Sequence, residues 1–323
     1  MKTQKMSFKD LYMKYQTIVL FVLMIIVYSI LSPSFFTAVN LRNVFSQNAS
    51  LIIVSMAQLL PQILNGVDLS VSAVVAFAGT TTALLMTNGG MGFFAAAIVA
   101  VALSACFGAI NGFLVSRCAF APFIGTLATT QIAKGVCYVI SNANIIYVEE
   151  PTFAFIGNGW IAGIPTVVVI AVVIVLIMAV ILTRTIVGRK IMAIGGNEET
   201  ARLAGIKVKR YKFLVYTAAG ALAGIAGVLA ACRLGAGSPT IGAEWEMDSI
   251  AAVVIGGTYG GYGSAINTFL GALIIGWMKN ILNLIGLASY PQFIIKGLII
   301  ILAVMGQKLG TGDVVLFKKK AKN

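Results

Sequence analysis

The sequence predicts an all-α integral membrane protein with about ten transmembrane helices and an inverted internal repeat, folded as one domain over residues 1–323. Three observations support this prediction: the composition, a series of apolar segments of membrane length, and similar sequence stretches in the two halves. Of the 323 residues, 59% are hydrophobic and 10% are charged, and the mean hydropathy is +0.97. Because soluble globular domains carry about 25% charged residues, a water-soluble fold is excluded.

Ten apolar segments can be compared with the roughly 20 residues that a helix needs to cross a bilayer. The first begins at Gln16 after a lysine-rich start, and no small-residue cleavage pattern follows it, so we expect an uncleaved helix rather than a signal peptide. The eighth is too short to span comfortably and is a candidate re-entrant segment. The segments are 16–32, 49–66, 70–87, 92–115, 120–140, 164–183, 212–232, 248–260, 264–284 and 292–307.

The basic residues predict the orientation in the membrane, because Lys and Arg are enriched in cytoplasmic segments. Of the 23, four lie in the first 14 residues, eight in 184–212 and five in the tail 308–323. Both termini and the 184–212 loop are therefore predicted to be cytoplasmic, and Glu149 and Glu150 to lie outside. Arg42 is the one loop charge on the side opposite to the rule.

Similar stretches recur in the same order in the two halves. The stretch around Asp68, DLSVSAVVAFAGT, is similar to the one around Asp248, MDSIAAVVIGGT. Two further pairs are similar: GAINGFLVSR with GALIIGWMKN, and PFIGTLA with PQFIIKGL. According to the order of the spans, the first copy, about 49–140, begins at the cytoplasmic face of the membrane. The second copy, about 212–307, begins at the outer face. Inverted repeats of this kind are a transporter architecture, in which two halves rock about a site between them. The alternative is a chance likeness between helices rich in small residues.

The loop 184–212 carries a short helix signal of its own. Asn197 is a good N-cap, Glu198 and Glu199 lie in the first turn, where the helix dipole favours negative charge, and Gly205 can close the C-terminus. The loop therefore predicts a capped helix of about two turns.

The predicted helix ends at Ala204 and has a small apolar surface formed by Ala201, Leu203 and Ala204. Gly195 and Gly196 before it would allow a sharp change of direction. Because so short a helix is marginal alone, we expect it to dock a cytoplasmic partner. The alternative is a solvated loop whose charges only fix the topology.

Several function classes lack the residues they need. The chain has no histidine, and its four Cys lie in or beside apolar segments without metal-ligand spacing. No nucleophile with an adjacent base and no carboxylate pair is discernible, and the glycine-rich run from Gly256 to Ser264 lacks the Lys of a phosphate-binding loop. No polar segment is long enough to fold as a nucleic-acid-binding face. We therefore expect a protein that is not an enzyme and itself binds no metal, cofactor or nucleic acid.

Charged residues in apolar segments cost several kcal/mol unless they are paired or hydrated, so each is a candidate for a solute path. The alternative is structural, since an Asp suits a helix N-terminus and a Lys can extend its amine to the membrane surface. The residues concerned are Asp68, Lys134, Asp248, Lys279 and Lys296.

Glycines four residues apart predict close helix packing, because they let two backbones approach. The pairs are Gly108 with Gly112, Gly220 with Gly224, and Gly257 with Gly261.

Four motifs occur in order: GVDLSVSAVVAFAG (66–79), APFIGTLAT (121–129), GRKIMAIGGNEETARLAGIKV (188–208) and EMDSIAAVVIGGT (246–258). They resemble the permease subunits of ribose, galactose and xylose type ABC importers, over most of the chain. The resemblance implies a permease dimer, of two identical or two paralogous copies, in the bilayer of the bacterial cytoplasmic (inner) membrane. It also implies two cytoplasmic subunits that hydrolyse ATP with Mg²⁺, and an extracytoplasmic sugar-binding protein.

The resemblance implies that the third motif couples the permease to the ATPase. Its positions are Gly188, Gly195, Gly196, Asn197, Glu198, Glu199, Ala201, Arg202 and Gly205. It implies that the first and fourth motifs lie near the translocation path or the dimer interface. With the charges in the spans, the residues predicted there are Asp68, Ser70, Lys134, Asp248, Gly256, Gly257, Tyr259 and Lys296. Family members often read SLAGGxG where this chain reads YGGYGS, so Tyr259 and Tyr262 depart from the pattern.

The prediction is thus a permease domain with a first repeat, a coupling loop (184–212), a second repeat and a basic tail (308–323). Its expected function is to translocate a monosaccharide such as ribose, galactose or xylose, delivered by a binding protein. Two alternatives stay open: a branched-chain amino-acid type ABC permease, and a secondary transporter or channel driven by an ion gradient.

Overall fold

The computed structural model describes residues 8–287, 291–295, 297, 298, 301 and 305, and these are mostly helical. The helices are α1 (Phe8–Leu31), α2 (Ala38–Ile63), α3 (Val71–Thr87), α4 (Phe93–Ser116), α5 (Pro122–Ser141), α6 (Pro151–Asn158), α7 (Thr166–Arg184), α8 (Ile186–Gly196), α9 (Glu198–Leu203), α10 (Val208–Leu234), α11 (Trp245–Ile255) and α12 (Ala265–Leu284). Four two-residue strands accompany them: β1 (Ile146–Tyr147), β2 (Trp160–Ile161), β3 (Ile164–Pro165) and β4 (Ala236–Gly237). The predicted helical class is confirmed, while the strands, the short helix α6 and the helix α8 within the predicted loop 184–212 were not predicted.

Within the described residues, six helices are long and apolar enough to cross a membrane: α2, α4, α5, α7, α10 and α12. The apolar part of α1 and the helix α3 are shorter. The helix α11 has 11 residues and is therefore about 16 Å long, half of the ~30 Å hydrocarbon layer. Its shortness agrees with the eighth predicted segment. Half of the residues of the tenth segment, 292–307, lie outside the described ones, so the count of ten spans stays a prediction.

The helices divide into a central group and an outer group. In α2, 83% of the apolar window is buried inside the protein, whereas in α4, the second most apolar of the candidate spans, the share is 28%. A helix that is apolar all round but exposed on most of its surface suits contact with lipid. The arrangement therefore supports a multi-pass membrane protein built around α2 and α10.

The two halves exchange their long helices. Helix α10, from the second half, packs against α3 and α4, while α2, from the first half, packs against α11 and α12. In each half a shorter helix also packs on a longer one, α3 on α4 and α11 on α12. Such reciprocal packing is what a pseudo-twofold relation between the halves would produce. It supports the repeat, which itself stays a prediction.

Glycines bring α4 and α10 into close contact. A Cβ on Gly108 would lie 2.3 Å from the carbonyl oxygen of Tyr216 and 3.0 Å from the backbone of Gly220. The glycines of this interface are Gly108, Gly112, Gly220 and Gly224. The packing role predicted for these two pairs is confirmed. For the third pair the helical part of the prediction is wrong, because Gly257 and Gly261 lie in a turn with positive φ angles of 74° and 79°, although Gly261 does permit a close approach to the backbone of Gly196.

The two ends of the helical body differ. At one end, here called the hairpin end, β1 pairs with β4, β2 pairs with β3, and the carboxylate of Glu150 caps α6 by accepting a hydrogen bond of 2.7 Å from the Phe153 amide. That hydrogen bond lowers the pKa of Glu150. Arg42 lies at this end too, with its guanidinium 5.6 Å from the ring centre of Trp160. The opposite end, here called the α9 end, carries α8, α9 and the turn between α11 and α12.

Candidate transport and docking sites

The helix α9 is shaped by its own caps. The side chain of Asn197 accepts a hydrogen bond of 2.8 Å from the amide of Thr200, and Glu198 and Glu199 occupy the first turn. The chain leaves the helix through Gly205, whose φ of +79° favours glycine. The capped helix predicted from sequence is present, and it ends at Leu203, one residue earlier than predicted.

The inner side of α9 is anchored by apolar contacts. Ala201 is 4% exposed and packs in a small cluster with Ile194 of α8 and Val208 of α10. A charged contact adds to this, since the amine of Lys212 lies 2.6 Å from the carboxylate of Glu198. The helix α9 therefore packs against the end of α8 and the start of α10, and its position is fixed by these contacts.

The outer side of α9 presents a mixed polar and apolar surface, here called the docking surface. The guanidinium of Arg202 donates to both carboxylate oxygens of Glu199, which lowers the pKa of that carboxyl. Beside this pair Leu203 is 75% exposed. The docking surface consists of Glu198, Glu199, Thr200, Arg202 and Leu203.

The end of α8 meets two other parts of the chain in what we call the glycine junction. The side-chain amide of Asn65, just after α2, donates a hydrogen bond of 2.8 Å to the carbonyl oxygen of Gly195. The amide of Gly261 donates one of 2.9 Å to the carbonyl oxygen of Ile63, the last residue of α2. A Cβ on Gly195 would lie 1.8 Å from that same oxygen, and a Cβ on Gly261 would lie 2.6 Å from Gly196. The junction consists of Ile63, Asn65, Gly195, Gly196 and Gly261.

The junction corrects one sequence interpretation. Gly195 and Gly196 were predicted to make a sharp turn before α9, but both belong to α8, and the chain changes direction at Asn197, whose backbone is extended. The absence of a side chain at Gly195 instead permits the close approach of the α2 end. Gly188 is packed in the same way against the end of α7, where a Cβ would lie 2.4 Å from the carbonyl oxygen of Leu182.

The turn after α11 completes this end. Tyr259 and Tyr262 form an isolated antiparallel bridge, and their rings stack with centres 5.2 Å apart. Both rings are nearly half exposed. Gly256, which precedes the turn, packs against α12, where a Cβ would lie 2.9 Å from Asn267. Gly256, Gly257 and Tyr259 therefore lie at the α9 end, close to the glycine junction.

Asp68 lies in a buried polar cluster between α2 and α3. Its carboxylate accepts hydrogen bonds of 2.9 and 2.6 Å from the amide and hydroxyl of Ser70, and the amide nitrogen of Asn111 lies 2.7 Å from the same hydroxyl. In the orientation that satisfies both of its groups, the Gln58 side chain pairs with the backbone of Asp68. The cluster holds the α2–α3 connection in place. Sequence reasoning did not identify Gln58 or Asn111, since neither is near Asp68 along the chain.

Asp248 lies in the first turn of α11, with 2% exposure, and its carboxylate is 3.7 Å from the amine of Lys279 on α12. A half-open cavity of about 210 Å³ lies beside this pair. Its other lining residues are Glu244, Ile275, Met278, Leu282, Asn283, Gln292 and Phe293. The cavity thus combines carboxylates, an amine and two amides with an aromatic ring, toward the end of α12 that lies away from the glycine junction.

The remaining predicted path residues are not part of either cluster. Lys134 is exposed on α5, and Lys296 lies outside the described residues. The structure therefore brings the predicted coupling residues together in one region, whereas it distributes the predicted path residues over several.

Comparison with known proteins gives a family for this chain. Residues 40–304 match the family described as "Branched-chain amino acid transport system / permease component". The chain is 37% identical over 303 residues to the ribose import permease protein RbsC of Escherichia coli (strain K12), covering 91% of this chain and 93% of that protein. It is 38% identical over 290 residues to RbsC of Bacillus subtilis (strain 168), covering 88% and 89%. No solved structure matches the chain.

Two other relatives are named for different sugars. The D-allose transport system permease protein AlsC of Escherichia coli (strain K12) is 37% identical over 299 residues, with 92% of each chain covered. The L-arabinose transport system permease protein AraH of the same strain is 32% identical over 318 residues, covering 98% of this chain and 94% of that protein. These matches extend over the central helices, the docking surface and the glycine junction, and the chain belongs to the family of branched-chain amino acid transport system / permease components.

Proposed function

We propose that this chain is the membrane permease subunit of an ATP-driven importer that carries a monosaccharide. The observation that carries the proposal is the near full-length likeness to permeases named for ribose, allose and arabinose. The family description mentions branched-chain amino acids, but these high-coverage relatives carry sugar names, so the amino-acid alternative is not favoured. An ion-driven transporter is not favoured either, because these relatives are named import permeases or transport system permease proteins.

We place the ATPase partner on the docking surface. The helix α9 is capped, its inner side packs against α8 and α10, and its outer side is exposed. This arrangement suits a rigid contact with another protein. Leu203 offers an apolar anchor, and the pair of Glu199 with Arg202 offers groups of both signs. ATP and Mg²⁺ would be bound by that partner and not by this chain. The α9 end, and with it both termini, would then be cytoplasmic.

The glycine junction is our candidate for the coupling element. Any movement of α8 is transmitted at Gly195 to the end of α2 and at Gly196 to the turn between α11 and α12. Because α2 packs against α11 and α12, a displacement there reaches the second half of the protein. A close-packed contact transmits such a displacement because it cannot be compressed.

We place part of the solute path at the cavity beside Asp248 and Lys279. Its carboxylates and amides can accept and donate the hydrogen bonds that sugar hydroxyls form, and Phe293 offers an apolar face. Charged side chains between apolar helices are tolerated where water or solute reaches them. A second copy of this chain or a paralogue would complete the path, and a sugar-binding protein would deliver the solute at the hairpin end.

Reconstituted uptake tests the function. The chain, its ATPase and its binding protein are placed in liposomes with ATP on the ATPase side, and uptake of labelled ribose, galactose, xylose, allose, arabinose and leucine is measured. We expect uptake of a monosaccharide that depends on ATP and on the binding protein. Leucine uptake alone would establish the amino-acid alternative, and solute exchange by this chain without the ATPase would establish a secondary transporter.

Co-purification tests the docking assignment. The double variant Glu198→Ala/Gly205→Ala removes a first-turn carboxylate and strains the C-terminal turn of α9. The matched control, Glu149→Ala/Gly163→Ala, changes the same residue types at the hairpin end, where Gly163 also has a positive φ of 80°. We expect only the first to lose the ATPase, and retention of the ATPase with normal uptake would refute the docking surface.

A further inference from the structure

A second cavity at the α9 end, here called the basic groove, lies between the end of α4 and the start of α10. It has a volume of about 890 Å³. Five of its lining residues are cationic and the others are apolar; they are Arg117, Arg202, Lys207, Lys209, Arg210, Phe113, Ile206, Val208 and Phe213. None of these lining residues is acidic, so no carboxylate in the groove balances its five positive charges.

Most of these cations have no anionic partner among the residues that the structure describes. Arg202 pairs with Glu199, but within the part of the chain that the structure describes, Arg117, Lys207, Lys209 and Arg210 form no salt bridge. Like charges gathered on a low-dielectric wall repel each other, and a bound anion relieves that repulsion. The groove is therefore electrostatically suited to an anionic ligand.

The apolar residues locate the groove at the edge of the bilayer. Exposed apolar side chains occur over about half of the circumference of α4 and along its length, and the last lies one turn before the C-cap, Arg117; they are Phe94, Ile98, Leu103, Ile110 and Phe113. On the other wall Phe213 lies five residues after the start of α10, near exposed Leu214. An apolar stripe that ends at a cation marks the boundary between acyl chains and headgroups.

We propose that the basic groove binds the headgroup of an anionic phospholipid, with one acyl chain against Phe113 and Phe213. Basic pockets between transmembrane helices bind such headgroups in other membrane proteins. The apolar walls favour a lipid over a free phosphate, which has no apolar part to bury. The groove adjoins the docking surface, so a bound lipid would brace the start of α10, to which Glu198 of α9 is tied through Lys212.

Native mass spectrometry of the full chain in detergent tests this inference. The protein is titrated with phosphatidylglycerol or with phosphatidylcholine of the same acyl chains. We expect phosphatidylglycerol to be retained preferentially, and the variant Arg117→Gln/Lys209→Gln to bind it about thirtyfold more weakly. The control Arg184→Gln/Arg189→Gln removes two exposed charges outside the groove and should change binding less than about threefold.

The single variant Lys209→Gln, at an exposed position, gives an intermediate loss and covers the case in which the double variant does not fold. Equal retention of the two lipids, or an equal loss in the control, would overturn the proposal. Displacement of the lipid by millimolar inorganic phosphate would assign the groove to free phosphate, and displacement by the ATPase partner would assign it to that protein. Failure of sugar uptake in the reconstituted importer would leave this binding result unaffected.

Discussion

The side-chain amide of Asn65 donates a hydrogen bond of 2.8 Å to the carbonyl oxygen of Gly195, 130 positions further along the chain. Asn65 follows the end of the central helix α2, and Gly195 lies near the end of α8, which leads directly into α9. This bond therefore ties the exposed docking surface to α2, the most buried of the six candidate spans, and the first prediction concerns it.

Asn65→Ala should weaken coupling without abolishing the fold. One hydrogen bond contributes about 1 kcal/mol, so we expect sugar uptake per ATP hydrolysed to fall about fivefold, while ATPase binding is retained. The measurement is uptake and ATP hydrolysis in the same liposomes. The control is Asn144→Ala, which removes an exposed amide at the hairpin end. An unchanged ratio of uptake to hydrolysis would contradict a coupling role for Asn65.

Gly195→Ala should destabilise the protein, because the new Cβ would lie 1.8 Å from the carbonyl oxygen of Ile63. Overpacking of this kind costs about 1–3 kcal/mol, which lowers the melting temperature in detergent by several degrees. Gly135→Ala is the control, since its Cβ would meet no atom within 4 Å on the exposed side of α5. If the two variants melt at the same temperature, the close approach at the glycine junction is not tight.

Asn197→Ala should loosen α9 by removing its N-cap. The loss of a capping side chain costs about 1 kcal/mol, and a six-residue helix has little reserve to offset it. We expect the affinity for the ATPase, measured by titration of the purified subunits, to fall about fivefold. Asn197→Asp keeps an oxygen that accepts from Thr200 and should bind normally. Equal weakening by both changes would mean that the Asn197 side chain contacts the partner directly.

Lys279→Met should cost stability, because the nearly buried carboxylate of Asp248 would lose a cation 3.7 Å away. The amine itself is half exposed, so we expect about 1–2 kcal/mol rather than the full cost of a buried pair. The double variant Lys279→Met/Asp248→Asn should recover most of the loss. Melting temperatures of the four proteins give the interaction energy. Additive effects would show that the two charges do not stabilise each other.

Local sequence was sufficient for α9 and for the helical class. Asn197, the two glutamates after it and Gly205 lie within nine residues of one another, and capping depends only on such near neighbours. The apolar segments were equally clear, because a helix in a membrane needs a continuous run of apolar residues. The paired glycines of α4 and α10 predicted a tight helix contact, though not which two helices would form it.

The sequence was less informative about glycines whose neighbours lie far along the chain. Gly195 and Gly261 read as turn or packing residues, and only the fold shows that they flank the carbonyl group of Ile63. Asp68 and Asp248 looked equivalent, but Asp68 is held by Ser70, whereas Asp248 faces Lys279. Ser70 is a near neighbour of Asp68, but Asn111 of α4 and Lys279 of α12 reach the two carboxylates from distant parts of the chain, which no local pattern specifies.

The sequence by itself thus determined a helical membrane protein with a capped surface helix, since hydropathy and capping act between residues close along the chain. The tertiary structure alone decided that this helix is joined to α2 and to the turn after α11, and where the charged cavities lie. Those features depend on which helices pack together, and packing is set by the shape of whole surfaces rather than by the order of neighbouring residues.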